Sequence, residues 1–280
     1  MDQSPQQTIA GVVLCLNEAE NLARALSSLA WCNEVLVVDS GSRDGSQGIA
    51  ASLGARVVEH QQQGRFLITK QRNWALKHGQ LQSQWVVFLD ADEEIGVGCQ
   101  TAILKCINQP DAADAYELTP RYWFLGRWLK LTQGYPNWHP RLLKRGKVKF
   151  EGGVWESFSP GIEVGQIYEP YEHFAFSKGI DDWLERHARY ADWEAEKIDM
   201  VLSGHGSQAL GTRRWHWLRL AMVYAWPFRP LLRFFQKYVL QGGFLEGWQG
   251  LLFALLMAGY DLITIVKLIQ RRRQKRGLAL

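Results

Sequence analysis

Two aspartates one residue apart, Asp90 and Asp92, close the apolar run that starts at Trp85. Side chains two apart on an extended segment point the same way, so the pair presents two carboxylates on one face. Such a pair can hold a hard divalent cation, whose remaining ligands are waters or phosphate oxygens. A solvated turn is the bland alternative, since Asp is common after strands. Context favours the site: Asp39 closes a second apolar run and Asn17-Glu18 follows a third. Acidic groups that converge on one edge repel unless a cation or hydroxyl donors satisfy them. The chain has neither GxGxxG nor a Walker A sequence. The glycine loops that usually cradle phosphates are thereby excluded, and a bound diphosphate would need a metal to neutralise it.

The elements that must position these groups follow from the apolar pattern. Residues 8–16, 34–39 and 84–90 are near-continuous apolar runs, expected as strands buried on both faces, and 56–59 adds a short fourth. Helical spacing lies between them, over 19–30, from Asp44 to about Gly54, and over 66–78. Alternation of this kind predicts a mostly parallel α/β sheet with helices on both faces. In such sheets ligands bind outside the carboxyl ends of the strands, where Asn17, Asp39 and Asp90 stand. Beyond about Gly96 the rhythm breaks into a helix near 98–108, aromatic-rich and basic strand-like pieces over 115–158, and a helix over 180–202.

The runs LCLNEAENL, VVDSGSRDGS, KQRNWAL and VVFLDADEEI occur in that order within residues 8–98. They resemble the nucleotide-binding half of the family 2 glycosyltransferases, which have the Rossmann-like GT-A fold. RYWFLGRW, GYPNWHPRLLKRGKVKFEG, VWESF and FQKYVLQGGFLEGWQGLLFAL further on resemble that family's lipopolysaccharide-core glucosyltransferase branch, the WaaE-like proteins. The resemblance implies a nucleotide-sugar donor, commonly a UDP-sugar, and a divalent metal, Mn²⁺ or Mg²⁺. It implies that Asp39 receives the donor base through its ring N–H, that Asp90 holds the ribose or the metal, and that Asp92 is the metal ligand proper. Lys70, Arg72 and Asn73 match the basic segment next to the donor, with Asn17 and Glu18 on its other side. A helix bringing Lys70 and Arg72 near phosphates is chemically sensible, although Lys70 fits an ordinary solvated helix face equally well.

Inverting transfer requires a carboxylate that takes the proton of the acceptor hydroxyl. Glu156 is the expected base: it sits in an apolar segment after Gly152 and Gly153, and VWESF matches the family's VHE, with Trp155 in place of His. Its alternative is a surface ion pair with Lys147 or Lys149. His173 is a candidate third ligand to the metal. Arg121, Trp123, Arg127, Trp128 and Tyr135, with Trp155, combine aromatic faces that stack on sugars with guanidinium forks that bind phosphate, which suits a lipid-linked saccharide acceptor. Some of these aromatics must also serve as core.

Of 280 residues 47% are apolar and 21% charged, as expected of a folded chain. Cys15, Cys32, Cys99 and Cys106 form no CxxC pattern and read as small apolar residues in a reducing compartment. The polar first residues lack a charged-then-apolar leader, so the catalytic part is expected in the cytosol. From residue 205 on, 12 Lys and Arg face only Glu246 and Asp261, a charge of +10, against −6 for the first 204 residues. A basic tail suggests an anionic partner. Residues 250–269 are apolar but interrupted by Asp261 and Lys267, and three arginines follow. An interfacial helix on anionic lipid therefore fits better than a spanning one. No nucleic-acid motif is present.

The domain expectation is a GT-A catalytic domain over 1–204, divided into a donor half (1–98) and an acceptor half (99–204), with a helical membrane-associating segment over 205–280. The functional expectation is an inverting hexosyltransferase, peripheral or monotopic on the cytoplasmic face of the inner membrane, with room for a homo-oligomer. The competing class is a non-catalytic nucleotide-sugar- or anionic-surface-binding protein on the same fold.

Overall fold

The structure, a computed structural model, describes residues 7–152, 156–204, 221 and 223–280. It divides into two compact units. The first comprises Met1–Trp123 and Tyr135–Ser177; the second comprises Phe124–Gly134 and Lys178–Leu280.

The first unit opens with β1 (Ile9–Cys15), α1 (Ala19–Ser27), β2 (Glu34–Asp39), α2 (Ser46–Ser52), β3 (Arg56–Glu59), α3 (Ile68–His78) and β4 (Trp85–Asp90). β5 (Glu93–Glu94), α4 (Val97–Ile107) and β6 (Ala115–Phe124) come next. The sheet runs β3-β2-β1-β4-β8-β6-β11-β5, where β8 is His139–Lys144 and β11 is Val164–His173. β1 pairs in parallel with both β2 and β4, while β8 is antiparallel to β4 and β6. This mixed GT-A sheet agrees with the expected α/β class and with the strand boundaries.

The near-continuous apolar runs divide by alternation. Ile9 and Val13 join a cluster with Leu22, Leu26 and Ile103 of α1 and α4. Ala10 and Val12 join the opposite cluster, with Ala75 of α3 and Phe150 and Phe158. Each strand thus contributes to two cores, as a sheet covered on both faces requires. Gly11 lets the turn after α1 approach: a Cβ there would stand 3.0 Å from Leu29 Cδ1. Phe150 and Phe158 belong to the small hairpin β9 (Phe150–Gly152) and β10 (Glu156–Phe158), and Asn73 ties β9 to α3 by exchanging two hydrogen bonds with the Phe150 backbone.

The second unit holds the loop 124–134 with β7 (Arg127–Trp128), α5 (Gly179–Leu202), α6 (Arg229–Phe234) and α7 (Gly247–Lys275). α5 packs along α7 through Ala195, Ile198, Val201 and Leu268. The interruptions in the apolar tail have partners. Asp261 is fully buried and accepts from Arg229 at 3.0 Å and Arg233 at 2.9 Å, and Lys267 pairs with Asp192. Three cations of the basic cluster expected to meet lipid have carboxylate neighbours inside the unit. Arg272 and Lys275 both pair with Asp199, and Arg271 lies 3.6 Å from Glu196.

Candidate active site

The parallel order of β2, β1 and β4 brings Asp39, Asn17 and Asp90 to one sheet edge. Asp39 is fully buried. Its Oδ1 accepts from the amides of Gly41 and Ser42 and from Gln47 Nε2, each at 2.8 Å. Burial pushes the carboxyl up, but the hydrogen bonds from Gln47 and from the Ser42 and Gly41 amides outweigh it and hold Asp39 below its ordinary value. Its Oδ2 is buried without a hydrogen-bond partner among the described residues. A buried, ionised acceptor left in this way suits an incoming N–H donor. Asn17, in the left-handed region at φ 55°, accepts from the Arg43 amide and donates its own to Ser42 Oγ. Glu18 accepts from Asn21. These two residues shape the loops around Asp39.

Asp90 lies in a ring of charge. Arg72 Nη2 donates to its Oδ1 at 3.1 Å and Arg141 Nη2 to its Oδ2 at 3.0 Å. The same two guanidiniums grip Glu156, Arg72 through Nη1 to Oε2 and Arg141 through Nη1 to Oε1 at 3.1 Å. Arg141 also donates to Glu93 Oε1 at 2.8 Å, and Glu93 Oε2 receives the Asp90 amide at 2.9 Å. Burial would raise Asp90, but Arg141 and Arg72 overcome it and hold this carboxyl well below the usual range. Glu93 goes the other way: burial raises it against Arg141, and Asp90 adds to the rise. The ring joins α3, β4, β8 and β10.

Arg72, expected beside the donor phosphates, is thus wholly buried beneath the edge, while Lys70 of the same helix is exposed. Asn73 spends its amide on the Phe150 backbone. Arg141 is absent from the sequence-based candidates. Its signal was available: an arginine between Pro140 and Leu142, in a strand that reads as buried, must find carboxylates.

Asp92 and His173 form the second feature. Asp92 Oδ2 lies 3.5 Å from His173 Nε2, and each side chain is 16% exposed. Burial lowers the imidazole, but Asp92 and Glu93 prevail, so His173 is raised above its ordinary value. The Phe174 amide donates to the Asp92 carbonyl at 2.9 Å, fixing the end of β11 against the acidic turn. Among the described residues no three His, Cys, Asp or Glu side chains form a metal cage. The pair suits a cation that takes its other ligands from phosphate and water. Asp90 suits one less well, because both its oxygens already serve guanidiniums.

On the remaining edge, Glu172 accepts from Arg121 Nη1 at 2.8 Å and Trp123 Nε1 at 2.6 Å, and Tyr135 donates to the Tyr168 carbonyl. Arg127 and Trp128 belong to the helical unit. Trp155 lies outside the described residues.

The chain is 23% identical to the lipopolysaccharide core biosynthesis glycosyltransferase LpsC of Rhizobium meliloti (strain 1021), over 97% of this chain and 95% of that protein. It is 35% identical to an uncharacterized glycosyltransferase of Rickettsia conorii, but there it spans only 35% of the relative. Among solved structures, glucosyl-3-phosphoglycerate synthase of Mycobacterium tuberculosis, in complex with Mn²⁺, UDP and glucosyl-3-phosphoglycerate, aligns at 20% identity and TM-score 0.38, over 50% of this chain and 57% of that one. S. aureus TarS 1–349 aligns over 95% and 92% of the two chains at 14% identity and TM-score 0.44. Residues 12–155, just over half the chain, match the family described as glycosyl transferase family 2, and the protein belongs to it.

Proposed function

We propose that the protein transfers a hexose from a UDP-sugar, with inversion, to a lipid-linked saccharide of the lipopolysaccharide-core type. The observation that carries this reading is the unpartnered, buried Asp39 Oδ2 at the sheet edge that ends in Asp90 and Asp92. Asp39 would take the ring N–H of the base. Asp92 and His173 would hold Mn²⁺ or Mg²⁺, which when bound offsets the charge of the leaving diphosphate. Lys70, exposed on α3, would reach the phosphates. Arg72 and Arg141 keep Asp90 ionised and fixed. Glu156 is the proposed base, each of its oxygens holding one guanidinium bond and keeping a second lone pair for the proton. Arg121, Trp123 and Tyr135 would line the acceptor side. The curated relative named for lipopolysaccharide core biosynthesis supports the acceptor class.

The helical unit would attach the protein to the cytoplasmic face of the inner membrane. Among the described residues one helical stretch, Gly243–Lys275, is long and apolar enough to cross a bilayer. One side of α7 is tied to the charged helix α5, whereas Trp248, Leu252, Leu255, Leu262, Val266 and Ile269 recur at helical spacing on an exposed face. That distribution supports an interfacial position. The test is transfer of labelled hexose from UDP-sugars to a membrane lipid fraction, with and without Mn²⁺. Transfer that needs Mn²⁺ and yields a labelled glycolipid supports the reading; labelled product at full rate in EDTA refutes it.

A further inference from the structure

The loop 124–134 is inserted between strands of the first unit but built into the helical one. Its anchor is Glu246, buried, whose carboxylate accepts from the amides of Leu131 at 2.6 Å and Thr132 at 3.0 Å and from the Thr132 hydroxyl. Lys237 donates to the Thr132 carbonyl and Arg127 Nη2 to the Leu245 carbonyl at 3.2 Å. Glycines make the fit: a Cβ on Gly243 would stand 2.7 Å from Thr132 Cγ2 and from the Lys237 carbonyl oxygen, and one on Gly250 2.1 Å from the Gly243 carbonyl oxygen. The QGGFLEGWQG stretch is therefore a socket for this loop.

The socket places Arg127 and Lys130, both exposed, beside an apolar surface of Leu240, Phe244, Leu245 and Trp248, which are 53% to 70% exposed. Between Tyr224 and Leu262 the chain has two acids, Glu246 and Asp261, and both are buried. These segments are thus apolar, rimmed by cations and without an exposed carboxylate among their described residues, which complements anionic headgroups over acyl chains. In the distal basic cluster, by contrast, Arg272 and Lys275 already pair with Asp199.

We propose that this loop is the phosphate-binding edge of the membrane-docking face, with Arg127 and Lys130 contacting anionic phospholipid headgroups while Phe244, Leu245 and Trp248 enter the interface. The inference rests on the membrane attachment proposed above and moves its charged contact from the C-terminal cluster to the 124–134 loop. The full-length protein is sedimented with vesicles of phosphatidylcholine alone or mixed with phosphatidylglycerol. R127A/K130A should lose roughly 20-fold in affinity for the mixed vesicles and change little on neutral ones. R127K/K130R, which keeps both charges, should bind as the unchanged protein does, and R272A/K275A should lose far less than R127A/K130A. If the unchanged protein binds mixed vesicles and R127A/K130A binds equally well, this inference is overturned while membrane attachment stands. If the unchanged protein binds no vesicle and sediments as a stable dimer through this face, both are overturned.

Discussion

Asp92 and His173 approach to 3.5 Å, one in the turn after β4 and the other at the last position of β11. They are 81 residues apart in the chain. If they share a cation, Asp92→Asn and His173→Asn should each weaken Mn²⁺ binding by more than about tenfold, measured by titration calorimetry. UDP binding in the presence of Mn²⁺ should fall with it. A His173→Asn protein with unchanged Mn²⁺ affinity would leave His173 as a structural partner of Asp92 only.

Glu156 separates binding from chemistry. Glu156→Gln should keep its affinity for UDP, since the proposed base meets the acceptor and not the nucleotide. Turnover should fall by roughly 10² to 10⁴ for loss of a general base. Thermal unfolding must be followed in parallel, because the change also removes a charge from the ring. Near-normal turnover in a stable variant would move the base elsewhere.

Arg141 is the keystone of that ring, touching Asp90, Glu93 and Glu156 at 2.8 to 3.1 Å. Arg141→Met leaves buried carboxylates short of a cation and should cost about 3 to 5 kcal/mol in urea unfolding. The sign with pH follows from Asp90, whose carboxyl is depressed in the folded protein. Stability from that depression is present above the unfolded carboxylate value and is lost as pH falls toward the folded one. The gap between the unchanged protein and Arg141→Met should therefore be full at neutral pH and narrow below about pH 4. A gap that stays constant across that range would show that the substitution acts through packing.

Much of this was legible in the sequence, and the divisions have physical reasons. The strands ending in Asp39 and Asp90 are written in period and turn chemistry, and local pattern sufficed to place them on one edge. The burial of Arg72 was not legible, because α3 is polar over most of its length and its partners Asp90 and Glu156 come from distant segments. The ring with Arg141 depends on which strands become neighbours, and β8 enters between β4 and β6 out of chain order. The partners of α5 were illegible for a related reason: a charged helix reads as a surface element of whatever precedes it, whereas its ion pairs lie on α7.

His187 of α5 gives the helical unit an acid sensitivity of its own. Its ring stacks on Trp183 at 3.6 Å, and burial pushes the imidazole down to about 4. A histidine depressed in the folded state contributes stability that is present above its unfolded value near 6.5 and lost as pH falls toward about 4. The melting temperature of the helical unit should drop across that window, and His187→Phe, which keeps a ring against Trp183, should flatten the drop. An unchanged slope in that variant would show that the acid sensitivity does not come from His187, since Asp199, whose carboxyl is also depressed in the folded protein, would lose its contribution only below that window.

The last prediction decides between lying on the bilayer and crossing it. At 29 residues α7 is long enough to span, roughly 44 Å at 1.5 Å per residue. Its ion pairs argue against crossing. Asp261 bonds Arg229 and Arg233 near the middle of the helix, Lys267 meets Asp192 two turns on, and Arg272 and Lys275 meet Asp199 near its end. A spanning α7 would carry α5 into hydrocarbon, and α5 holds charged residues along most of its length. Charges at bilayer depth are costly by several kcal/mol each. Washing membranes with alkaline carbonate should therefore release the full-length protein. High salt alone should release only part of it, because the apolar face of α7 is insensitive to screening. Retention through carbonate would mean that α7 leaves α5 and crosses the membrane, and Asp261 would then need its arginine partners within the bilayer.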